Sequence, residues 1–161
     1  MTDYRLAVEL RPDSASTLTA RGVAHRLLGH YAEALADLTR SIALDTDDAW
    51  THYETAVAMS ALGHPDGDHH LARAVDLLGS PAAGKRDAFE ADNLVLAYCL
   101  WGRWEQAEQH LAEFLNAAQP PGQVRVLIIA LRSLVPVIPS TEPRIAAFCR
   151  PLEERLTVPA P

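Results

Sequence analysis

The sequence predicts an all-α chain, an α-solenoid of antiparallel helix pairs closed by a C-terminal capping helix. Three observations predict it. The 161 residues are close to half apolar and poor in aromatics, a composition suited to packed helices. Glycines recur at Gly29, Gly63 and Gly102, each closing an apolar stripe of helical period, where a left-handed residue ends a helix. Finally, "RGVAHRLLGHYAEALADLTRSIAL" (21–44) returns in outline as "LVLAYCLWGRWEQAEQHLAEFLNA" (94–117), with Gly29 over Gly102, Tyr31 over Trp104 and Ala34 over Ala107.

Each element has its own justification. "DYRLAVELRPD" reads as a helix over 3–11. Ser14 can accept the first free N–H groups of a helix over 15–28, Asp47 or Asp48 those of a helix over 48–62, and Asp87 those of a helix over 87–101. The partners are helices over 32–45, 66–78 and 104–118. Ala24, Ala34, Ala58 and Ala107 let paired helices approach closely. "QVRVLIIALRSLV" has strand-like composition, but a lone strand in a helical stack leaves its ladder unpaired, so a helix over 122–135 is expected. "VPVIPSTEP" is a breaker-rich connection. Ile145, Phe148, Leu152 and Leu156 then form the stripe of a last helix that Pro151 should kink, with "TVPAP" as a frayed tail.

Gly29 and Gly63 are 34 residues apart, and Gly63 and Gly102 are 39 apart. The first spacing is the tetratricopeptide period; the second is that period with an insertion. On these residues the chain resembles the tetratricopeptide repeat family, of bacterial type. The first unit keeps Gly22, Ala34 and Leu38 at motif places, and the third keeps Leu94, Tyr98, Ala107 and Leu111. Tyr4, Ala7 and Pro12 fit the tail of an earlier unit. The motif tryptophan is absent, its places holding Leu18, His52 and Ala91, and Thr46 replaces the closing proline. The resemblance covers roughly residues 3–121. It implies a right-handed superhelix and a single domain over 1–161: a tail of a preceding repeat at 3–14, repeats at 15–48, 49–81 (degenerate) and 88–121, and a helical cap at 122–157.

The resemblance also implies a function: a non-enzymatic scaffold or sensor module that binds a protein or peptide in its concave groove. Matching unit by unit, Thr19, Val23 and Arg26, then Trp50, Tyr53 and Val57, then Phe89, Asp92 and Leu96 line that groove. The expected partner-binding residues are Arg26, Trp50, Tyr53, Val57, Phe89, Asp92 and Leu96, with Glu54 as a further polar point. The family's Lys/Asn carboxylate clamp is not reproduced at these places. Because the chain opens partway through a unit, it reads as part of a longer protein, and the apolar face at Tyr4, Leu6 and Val8 as a surface for homodimerisation. The alternative is a structural homo-oligomerisation domain, with Trp50, Tyr53 and Phe89 at the subunit contact.

Charge and motifs exclude other classes. A formal net charge of −7 offers no basic surface for nucleic acid. "MTDYRLAVEL" lacks the pattern of a signal peptide, and the apolar runs, 126–131 among them, are far too short to span a bilayer; a cytoplasmic location is expected. Cys99 and Cys149 form no CxxC pair and read as buried thiols. No GxSxG elbow or phosphate loop occurs, and no cofactor is expected. Trp101 and Trp104 flank Gly102 and read as packing residues.

The densest chemical cluster is "HPDGDHH", 64–70, with three histidines and two aspartates. Asp66 with His69 or His70 has the spacing to share a divalent ion on one helix face, and Asp66, Asp68, His69 and His70 are the set a small hydrolase would use. The H-E-x-x-H arrangement is missing, however, and two or three ligands fall short of a zinc site. Counting back four from Leu71 places Gly67 in the small-residue slot of the second helix. Pro65 and the two aspartates then mark a helix start, and no metal is expected.

Overall fold

The computed structural model describes residues 14–79, 88–117 and 119–157, those at 88–91 without side chains. The helix expected over 3–11, the face at Tyr4, Leu6 and Val8, the Asp87 cap, the Phe89 and Ala91 side chains, and the tail beyond Thr157 lie outside the described residues. The described residues are all-α. Their helices are α1 (Ala15–Leu27), α2 (Tyr31–Leu44), α3 (Ala49–Ala61), α4 (Gly67–Gly79), α5 (Ala88–Leu100), α6 (Trp104–Asn116), α7 (Pro121–Arg132) and α8 (Glu142–Thr157). A short 3₁₀ turn, Pro139–Thr141, precedes α8. The chain divides into two compact units between Gly79 and Ser80.

In the first unit, α1 packs on α2 and α3 on α4, while α2 and α1 also touch α3. The Ser14 side chain accepts from the Thr17 N–H, and Asp48, rather than Asp47, caps α3 by accepting from the Trp50 and Thr51 N–H groups. At the turn between α1 and α2 the Gly29 N–H donates to the Arg26 carbonyl and the His30 N–H to that of His25. The α3–α4 turn repeats this pattern at Gly63 and His64, and the α5–α6 turn at Gly102 and Arg103. All three glycines have φ near 70° (76°, 66° and 72°), the left-handed conformation of a Schellman stop.

The small residues set how closely helices approach. Ala34, Leu38 and Ala58 form one fully buried cluster joining α2 and α3. A methyl group added at Gly22 would lie 2.8 Å from Leu38 Cγ and 3.3 Å from the Ala34 carbonyl oxygen, so α1 meets α2 through a bare backbone. Gly67 does occupy the buried small slot of α4, but its added methyl would sit 3.6–3.8 Å from Ser60, Ala56 and Met59. That is ordinary contact, so the slot is wide enough for alanine. Pro65 and Asp66 lie in the turn, and α4 begins at Gly67, with the Asp66 carbonyl accepting from the His69 N–H.

In the second unit, α5 pairs with α6 and α7 with α8, and α5 touches α7 as α6 touches α8. Val124, Leu127, Ile128 and Leu131 of α7 are buried, as are Ile145, Phe148, Cys149 and Leu152 of α8, a 3–4 spacing that turns one face of each helix inward. The segment expected as a helix over 122–135 is helical, but α7 stops at Arg132 rather than 135. Pro136 disfavours helical backbone at Val135, and the last residues tighten to Leu134 N–H→Leu131 O and Val135 N–H→Arg132 O bonds. Helix α8 runs on through Pro151. Arg155 donates to the Leu115 and Ala117 carbonyls, satisfying the open C-terminal end of α6.

Candidate functional site

The candidate surface in the first unit is built from one helix of each pair, α1 and α3. Arg26 near the end of α1 reaches the middle of α3 and grips Glu54 with Nε and Nη2, the latter 3.0 Å from Oε1. The Glu54 side chain is 0% exposed and that of Arg26 10%. Burial pushes the Glu54 carboxyl above its ordinary range, against the opposing pull of Arg26. The pair therefore fixes α1 to α3, and its charges are turned on one another. One turn earlier on α3, Trp50 and Tyr53 stack with ring centroids 5.2 Å apart. Trp50 is partly exposed, Tyr53 is buried, and Val57 is fully buried. The first unit thus brings Arg26, Trp50, Tyr53 and Val57 onto two adjacent helices, and of these Trp50 offers the accessible ring.

In the second unit, Asp92 and Leu96 lie one turn apart on α5 and both are buried. Trp104 packs edge-on against Phe148 of α8, and Arg144 lies over its ring at 5.0 Å. Arg103 stacks on Trp101 at 3.6 Å.

Thr19, named as a groove residue, joins a buried hydroxyl chain across three helices. Its Oγ1 lies 2.8 Å from Ser41 Oγ and 2.7 Å from Thr51 Oγ1. Ser41 donates on to the Ala15 carbonyl, and Thr51 donates to the Asp48 carboxylate. A concavity of about 400 Å³ opens beside this chain, with Asp45, Asp47 and Asp48 on its rim.

The 64–70 cluster separates in the fold. Asp66, Asp68 and His69 are exposed, and His64 Nδ1 stands 3.7 Å from Asp66. Among the described residues, no group of three or more His, Cys, Asp or Glu side chains is arranged to hold a metal ion. His70 turns inward instead, its Nδ1 lying 2.9 Å from Nδ1 of His52 on α3, whose Nε2 is 3.0 Å from the Thr46 carbonyl oxygen. Sequence reasoning missed this contact, although its signal was present: His52 occupies the place of the motif tryptophan, facing the second helix of its own pair.

Fold and site together define a class: an all-α protein of helix pairs joined by short turns, with an aromatic pair and a buried ion pair on the first helices of its first unit. Among solved structures, the chain is similar to that of MamA, at 19% identity over 94% of this chain and 84% of that one, with a TM-score of 0.49. No family model matches the sequence. Among the described residues, no helix is long and apolar enough to cross a membrane.

Proposed function

We propose that the chain is a non-enzymatic interaction module that binds a peptide or helix of a protein partner along the first helices of its pairs. The observation that carries this reading is the Trp50–Tyr53 stack, with Trp50 partly exposed beside the rigid Arg26–Glu54 link. An aromatic held against a preorganised wall contributes apolar contact at low entropic cost, the usual chemistry of an interface anchor. Because Arg26 and Glu54 spend their charges on each other, recognition rests on apolar contact at Trp50 more than on charge. The surface at Phe89, Asp92 and Leu96 and a cytoplasmic setting belong to the same proposal.

Selection from a displayed peptide library against the whole chain tests it. Enriched peptides should bind with an affinity that Trp50→Ala lowers at least about tenfold, the loss of one anchor, while circular dichroism stays unchanged. Absence of enrichment, or indifference of enriched peptides to Trp50→Ala, sinks the reading. A dimer mass that Trp50→Ala reduces to monomer would favour the homo-oligomerisation alternative.

A further inference from the structure

We propose that His52 and His70 form an acid-sensitive latch between α3 and α4, closed by one hydrogen shared between their Nδ1 atoms and opened when both rings are protonated. The hydrogen count follows from the partners. The Thr46 carbonyl oxygen can only accept, so His52 Nε2, 3.0 Å away, carries a hydrogen. A neutral His52 then has a bare Nδ1, and the hydrogen in the 2.9 Å Nδ1–Nδ1 contact belongs to His70. His70 is thereby held in the tautomer with Nδ1 protonated and Nε2 bare, the reverse of His52.

One added proton can be taken up at His70 Nε2 with the contact intact. A second puts hydrogen on both Nδ1 atoms, and two donors 2.9 Å apart cannot remain in place. The groups bearing on His70 are few. Burial lowers its affinity for protons most, His52 across the seam and His69 on its own helix lower it further, and Asp66 alone opposes them. The helix packed against α4 is α3, and His52, 5% exposed, is the group it presents. On the solvent side the Arg73–Asp47 ion pair, 2.6 Å, ties α4 to the turn that carries Thr46, so an opened latch leaves that tether in place. The sign is fixed: a histidine whose folded pKa is lowered binds fewer protons folded than unfolded. Stability is therefore full above the unfolded histidine value of about 6.5 and falls as pH drops through it toward the folded value.

The test uses the whole chain in EDTA. Long-range proton–nitrogen NMR at pH 8 should show His70 with Nδ1 protonated and His52 with Nε2 protonated; His70 protonated on Nε2 overturns the assignment. The His70 titration midpoint should lie below that of the same ring in urea, and His52→Gln should raise it; an unmoved midpoint counts against coupling. The urea midpoint of the wild type should fall between pH 7.5 and 5, and His70→Gln should flatten that fall while His69→Gln leaves most of it. Equal falls in all three refute the latch. If Zn²⁺ without EDTA shifts both Nδ1 resonances and raises the urea midpoint, the contact holds a metal rather than a proton and the proposal fails.

Discussion

Arg26 and Glu54, 28 residues apart in sequence, join the first helices of two consecutive pairs through two hydrogen bonds to a carboxylate with no solvent exposure. Burying both charges costs much of what their attraction returns, so the pair contributes more to register than to net stability. Arg26→Ala strands the buried carboxylate and should cost about 3 kcal/mol. Adding Glu54→Leu to it should recover most of that loss. Urea denaturation of the single and double variants checks this; a double variant no more stable than Arg26→Ala would refute it.

Gly22 and Gly67, both helical, should answer differently to alanine. Gly22→Ala drives a methyl group into Leu38 and should cost about 1–3 kcal/mol through forced repacking. Gly67→Ala meets only ordinary contacts and should stabilise by about 0.4–1 kcal/mol, by restricting the unfolded chain. Thermal unfolding of both variants settles the pair of signs.

Thr19 sits at the centre of its hydroxyl chain yet should be its most dispensable member. Ser41 gives its hydrogen to the Ala15 carbonyl and Thr51 gives its own to Asp48. The single Thr19 hydrogen can therefore serve only one of its two contacts at a time. Thr19→Val leaves both neighbours with their acceptors and should cost about 1 kcal/mol or less. A measured loss above about 2 kcal/mol would mean that the hydrogens are arranged otherwise.

Both thiols should be silent in the native chain. Cys99 is fully buried, and burial, with a smaller push from Cys149, raises its pKa to about 12. Cys149 is buried and shifted upward, again chiefly by burial. With little thiolate and no access, neither should react with Ellman's reagent at pH 8, and both should react in denaturant. A fast-reacting equivalent under native conditions would contradict the packing of α5 or α8.

Much of the fold was legible because its signals are local. Gly29, Gly63 and Gly102 mark stops that depend only on their own backbone, and Ser14 and Asp48 mark starts that depend on the next three residues. Bounds from α1 to α6 accordingly fall within two residues of expectation. Relations across helices were not legible. Arg26 and Glu54 stood out as polar points on the groove, but that they face each other depends on how α1 and α3 are set side by side. His70 looked like part of a solvated helix start, since the partner that turns it inward lies 18 residues back. Gly67 was legible as a small residue, whereas the room around it was not.

The three Schellman turns also bear on how the chain finds its fold. Each returns the chain within about three to five residues, so the contacts that close a pair are between near neighbours in sequence and need almost no loop-closure entropy. Local helical hairpins of this kind form on the microsecond-to-millisecond scale. Pairing can begin at any of the three turns, and within the first unit the hairpin at Gly29 gives the one at Gly63 a surface on which to condense.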